Sequence, residues 1–149
     1  MNKKNDIIYF AKVLPTATIP SKRDEDACYD LWSAEGAITL APYETKLIET
    51  GIAAAFPSNY VAIIKERSSW GSKNILLHAG VIDSGYRNSW KVCLTNLNDY
   101  PVTLPSEKAI AQFLLIELPR LESQEVNYDR LLNFQSERGT KGFGSTDKK

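Results

Sequence analysis

Apolar residues occur along the chain in short runs and alternations, with a breaker every eight to twelve residues. Ile7–Val13 is rich in β-branched and aromatic residues and predicts a first strand, after which Pro15 and Pro20 interrupt the chain. Further strands are predicted over Tyr29–Ala34, Ala37–Leu40, Thr45–Thr50, Ile52–Phe56, Tyr60–Ile64, Val102–Leu104 and Ile110–Leu118. Gly51, Pro57-Ser58-Asn59 and Asn96–Pro101 punctuate them. Many short strands at this spacing imply an all-β sandwich, barrel or jelly roll. The best helix candidate is Gly71–Leu77, a turn or two at most. Long amphipathic helices do not occur, which argues against α/β nucleotide folds and their phosphate loop.

The centre of this pattern is residues 80–90, Gly-Val-Ile-Asp-Ser-Gly-Tyr-Arg-Asn-Ser-Trp. Ile75-Leu76-Leu77 precedes it and Trp90–Leu94 follows, so the stretch reads as a β-hairpin closed at Ser84-Gly85. Asp83 ends the first strand and Tyr86 sits at the tip, while Gly80 and Gly85 permit close backbone approach or positive φ. An acid, backbone donors and acceptors and a flat ring within seven residues suit a small flat ligand with chemistry beside it. An ordinary hairpin whose aspartate caps a turn has the same composition, and the residues alone leave both readings open.

The 149 residues fit one domain with a single core. Eighteen basic side chains balance eighteen acidic ones, so no basic surplus points to nucleic acid. Cys28 and Cys93 make neither a disulfide framework nor a paired zinc spacing, which suggests a reducing, intracellular setting. No apolar run approaches the ~18 residues of a membrane span, and Ile7–Phe10 is too short for a signal-peptide core. The last dozen residues are glycine-rich and polar, so residues 1–134 are expected to form the β domain and 135–149 a flexible arm.

Gly80–Arg87 resembles the third of the five motifs of the trimeric dUTPases, and the other four follow in the family's order. Ala27-Cys28-Tyr29-Asp30-Leu31 is similar to the first, with Cys28 where the family has glycine. Glu66-Arg67-Ser68-Ser69-Trp70-Gly71 is similar to the second, with Glu66 in place of proline. Ala109-Ile110-Ala111-Gln112 matches the end of the fourth, whose first three residues are replaced by Glu107-Lys108-Ala109. Arg138–Thr146 is nearly the fifth, with Asp147 where the closing glycine stands. An arginine followed by hydroxyls suits phosphate oxygens, and a glycine-rich cationic loop offers free amides to an anion.

The resemblance implies a distorted jelly-roll or β-barrel subunit with at most one short helix, assembled as a homotrimer whose sites draw on several chains. It implies hydrolysis of dUTP to dUMP and pyrophosphate with Mg²⁺. Asp83 would activate a water towards the α-phosphorus. The main chain at Gly80, Val81, Ile82 and Lys91 would read uracil, and Tyr86 would exclude a 2′-hydroxyl. Arg67, Ser68, Ser69, Gln112, Arg138, Gly144 and Ser145 would hold phosphates, Phe143 would lie on the base, and Asp30 would hold the metal through water. Read from the residues alone, Asp30 also serves as a structural strand acid and Gln112 as a satisfied core amide.

Two alternatives share these residues. A dCTP deaminase has a related third motif but carries a glutamate ten residues after the aspartate, where this chain has Cys93. A catalytically impaired relative that binds or regulates would keep the fold; the changes at Cys28, Glu66, Glu107 and Asp147 are its support. His78, the sole histidine, is read as a core or subunit-channel residue, and Trp32, Trp70 and Trp90 as core or subunit contacts.

Overall fold

The period-two alternation is realised as strands, but their partners lie far away in sequence. The structure, a computed structural model, describes residues 6–142. Among the described residues there are eleven strands and two short helices. The chain divides into two units, Met1–Pro119 and Arg120–Lys149.

The first unit holds all the strands. β1 (Tyr9–Lys12) pairs with β5 (Ile52–Ala55), and β3 (Ile38–Leu40) with β10 (Val102–Leu104). A four-stranded sheet runs β2-β11-β6-β8, from Tyr29–Leu31, Ala111–Glu117, Tyr60–Lys65 and Val81–Asp83. A three-stranded sheet runs β4-β9-β7, from Thr45–Glu49, Lys91–Asn96 and Ile75–His78. Leu31, Ala62, Ile64, Ala111 and Phe113 of the larger sheet share one core cluster with Ile48, Ile75, Val92 and Leu94 of the smaller. Trp90 is fully buried between them and meets Phe113 edge-on at 5.0 Å, a favoured aromatic geometry. The all-β expectation holds, and the sheets remain open rather than closing into a barrel.

The hairpin expected around Ser84-Gly85 is built differently. β7 and β9 do pair, from Ile75↔Asn96 to His78↔Cys93. The first strand stops at His78, because Ala79 and Gly80 take left-handed backbone at φ 59° and 103°. The chain leaves the ladder there, and β8 pairs with β6 of the other sheet, Asp83 opposite Val61. A side chain at Gly80 is excluded, since a Cβ would lie 2.9 Å from the Ile64 carbonyl oxygen. The Ile64 amide donates to the Gly80 carbonyl at 2.7 Å. Half-buried Ile82 packs on the core while Val81 and Asp83 face outward.

The helix prediction is corrected twice. The first helix, α1, is Ser68–Gly71 rather than Gly71–Leu77, and positive φ at Asn74 turns the chain into β7. A second helix, α2 (Tyr128–Leu132), lies in the second unit, so one helix was an underestimate. Asn127 caps it by accepting from the Arg130 amide at 2.8 Å, the standard role of asparagine at a helix start. No helix among the described residues is long and apolar enough to cross a membrane.

Candidate functional site

Two clefts on the first unit collect most of the residues singled out by sequence. The first, about 240 Å³, is lined by Gly80, Val81, Ile82, Asp83, Tyr86 and Lys91, together with Leu47, His78, Ala79 and Cys93. It opens where β8 parts from β7, so the left-handed turn at Ala79-Gly80 creates it. The volume suits a single ring rather than a whole nucleotide, since sites enclosing a drug-sized ligand run to ~300–1,000 Å³. Asp83 and Tyr86 share one turn, the Tyr86 amide donating to the Asp83 carbonyl at 3.0 Å. The Tyr86 hydroxyl donates to the Ser89 carbonyl at 3.4 Å.

The second cleft, about 850 Å³, is lined by Asp30, Arg67 and Gln112 with the 21–28 loop, Cys28 included, and Trp32. The β2-β11-β6 pairing assembles it: Gln112 stands opposite Asp30 on one side and Lys65 on the other. Arg67 Nε lies 3.2 Å from Asp30 Oδ1. Gln112 Nε2 donates to the Glu66 carbonyl at 3.0 Å. One of its two amide protons is thereby spent on positioning, leaving the other for an incoming acceptor. The Glu66 carboxylate pairs with Lys65 at 3.6 Å. Ser68 and Ser69 are exposed at the start of α1 and do not line this cleft. The Cys28 thiol is pushed above its ordinary range, first by burial and then by the Asp30 carboxylate, which lowers its thiolate fraction.

The two clefts are separate within one chain. Along β6, Asp83 sits opposite Val61 and Gln112 opposite Lys65. Four strand residues and two interstrand gaps put the two roughly 16 Å apart. Arg138 belongs to the second unit, where its Nε donates to the Lys141 carbonyl at 3.1 Å within a turn through Gly139. Phe143, Gly144 and Ser145 lie outside the described residues.

Sequence reasoning passed over several residues around the first cleft. Arg87 donates to the Ser84 carbonyl at 2.6 Å and so braces the turn that carries Asp83. His78 lines the cleft, its Nε2 within 2.6 Å of Thr95 Oγ1, which is itself 2.6 Å from Thr45 Oγ1. The Glu49 carboxylate accepts from the Ser89 hydroxyl. Strand pairing across the small sheet brings His78, Thr95 and Thr45 together, whereas the Arg87 brace is local to the turn.

No group of three or more His, Cys, Asp or Glu residues placed to hold a metal occurs among the described residues. A lone partly exposed Asp30, with Arg67 on one oxygen, is a poor cage for a naked cation. It fits Mg²⁺, which keeps most of its waters and takes one or two carboxylates plus substrate phosphates.

The dUTPase family profile matches residues 15–147. The deoxyuridine 5′-triphosphate nucleotidohydrolase of Mycolicibacterium gilvum is 37% identical over 139 residues, 89% of each chain. Among solved structures, the dUTPase of Staphylococcus bacteriophage 80alpha bound to dUpNHpp superposes with a TM-score of 0.83 at 26% identity. That match covers 94% of this chain and 98% of the phage protein. The dUTPase of phage phi11 of S. aureus, described as coordinating a structural Mg(II) ion, shares the fold at a TM-score of 0.74 and 22% identity, over 80% of this chain and 96% of its own.

Proposed function

We infer a mechanism from the premise that this chain belongs to the dUTPase family and hydrolyses dUTP. The observation that carries it is the meeting of Gly80–Asp83, Tyr86 and Lys91 in one ring-sized cleft. The main chain of residues 80–82 and 91 pairs with uracil. Cytosine would present a donor where uracil has an acceptor, leaving buried groups unpaired, and such mismatches discriminate strongly. Tyr86 packs on the deoxyribose and leaves no room for a 2′-hydroxyl.

Asp83 holds a water in line with the α-phosphorus and takes its proton, so that pyrophosphate leaves and dUMP remains. Its exposed position at the outer end of β8 gives a water direct access. Arg67 and Gln112 grip phosphate oxygens, joined by Ser68, Ser69, Arg138, Gly144 and Ser145. Asp30 would hold Mg²⁺ through water, and the ion would supply charge neutralisation on the triphosphate.

The ~16 Å between Asp83 and Gln112 exceeds what the phosphates of one dUTP span, so one chain does not complete a site. A homotrimer solves this by setting the base cleft of one copy against the phosphate cleft of another. The 135–149 arm, with Phe143 over the base, then closes the site and excludes bulk water. The two free cysteines suit an intracellular setting.

Cys93, which stands where deaminases place their proton-shuttling glutamate, lines the cleft itself, and its thiol supports hydrolysis over deamination. Release of pyrophosphate from dUTP, dCTP, dTTP and UTP by the purified protein tests the whole reading. Turnover of dUTP alone is expected. Ammonia from dCTP, or tight dUTP binding without turnover, would overturn it.

A further inference from the structure

We infer that Glu49 is a positioning residue for nucleotide binding, its carboxylate holding Ser89 and thereby setting Tyr86 and the main chain of Lys91 along the base cleft. This rests on the assignment of that cleft to the base. Glu49 is the last residue of β4 and stands opposite Lys91, the first of β9. Its Oε1 accepts from the Gly51 amide at 2.9 Å and from the Ser89 hydroxyl. Its own backbone is pinned, the amide donating to Glu35 Oε1 at 2.7 Å and the carbonyl accepting from Ala34 at 2.8 Å.

The far end of this contact reaches the cleft. Ser89 is 5% exposed, so removing its acceptor would strand a buried hydroxyl. The Ser89 carbonyl accepts from the Tyr86 hydroxyl. Trp90 then enters β9 in a single register, its amide donating to Ile52 at 2.8 Å and its carbonyl accepting from Thr50 Oγ1 at 2.6 Å. The limb that carries Asp83 and Tyr86 is held at its start by pairing with β6 and at its turn by Arg87, and Glu49 anchors its Ser89 end. The ion pair with Lys91 is the lesser part, being 3.9 Å long with the lysine half exposed; such pairs are weak. Glu49 does not line the cleft and touches no reacting atom.

Steady-state dUTP hydrolysis by the full chain tests this, with thermal midpoints measured alongside. Glu49→Ala is expected to raise KM about tenfold with kcat changed less than about threefold. Glu49→Gln keeps an oxygen for Ser89 and Gly51 and is expected to restore KM to within about threefold of the parent. A lowered thermal midpoint with KM unchanged would reduce Glu49 to a structural residue and overturn the inference, as would a Glu49→Gln variant as impaired as Glu49→Ala. If Glu49→Ala fails to fold, Ser89→Ala carries the test, with a raised KM expected and an unchanged one overturning. A parent protein that does not hydrolyse dUTP would defeat the mechanism above; an active parent with an unaltered KM in the variants defeats this inference alone.

Discussion

Asp30 lies on β2 and Arg67 just beyond the end of β6, two strands that never pair, yet Asp30 Oδ1 lies 3.2 Å from Arg67 Nε. β11 runs between β2 and β6, and the two side chains meet beside Gln112. Each is about one-third exposed. The pair occupies one carboxylate oxygen and one of five guanidinium donors. In the proposed mechanism this would preset the arginine fork for phosphate and leave the second carboxylate oxygen for a metal-bound water.

Asp30→Asn is accordingly expected to raise the Mg²⁺ concentration for half-maximal activity by about 10–100-fold, the usual cost of losing an outer-shell ligand. Titration of activity with MgCl₂ measures it. An unchanged midpoint would leave Asp30 with the structural role alone.

Asp83→Ala is expected to lower kcat by about 10²–10⁴. Asp83 is exposed, so the thermal midpoint should hardly move. Pyrophosphate release measures the first and a melting curve the second.

Tyr86→Ala is expected to raise the ratio of kcat/KM for UTP over dUTP by about tenfold or more, because the ring proposed to exclude the 2′-hydroxyl is gone. Paired kinetics on the two nucleotides decide it. A ratio equal to the parent's would place sugar selection elsewhere.

Gly80→Ala is expected to cost about 2–4 kcal/mol, from left-handed strain and overpacking together. The added methyl would lie 2.9 Å from the Ile64 carbonyl oxygen with φ at 103°. Urea denaturation reports the loss, and dUTP binding should weaken with it because the cleft proposed for the base begins at this turn.

Alkylation of Cys28 by iodoacetamide at pH 8 is expected to be slower than that of a free thiol. Burial and the Asp30 carboxylate raise its pKa and so shrink the thiolate fraction. Asp30→Asn removes the smaller of these two causes and should speed the reaction. Mass spectrometry of the Cys28 peptide follows it.

The strands were legible because their signals are local. Alternation along Thr45–Glu49 and the nearly continuous apolar run Ala111–Glu117 each mark a strand wherever they occur. Asp83 and Tyr86 stood out for the same reason, lying three residues apart in one turn. The flanking strands pair as expected, but the course of Val81–Asp83 between them was misread because period two cannot name a strand's partner. Ile82 fits either sheet by pattern, and the left-handed Ala79-Gly80 link hands it to β6. α2 was missed because a five-residue helix with none of its residues buried leaves no apolar stripe to detect.

Residue order by itself determined that this would be an all-β chain, where it would turn, and which side chains could bear chemistry, since steric and turn preferences act over a few neighbours. Tertiary structure alone decided that Asp30 meets Arg67, that Glu49 holds Ser89, and that Asp83 and Gln112 stand opposite the two ends of β6. Those relations depend on which strands bury their apolar faces together, and burial is a property of the whole folded chain.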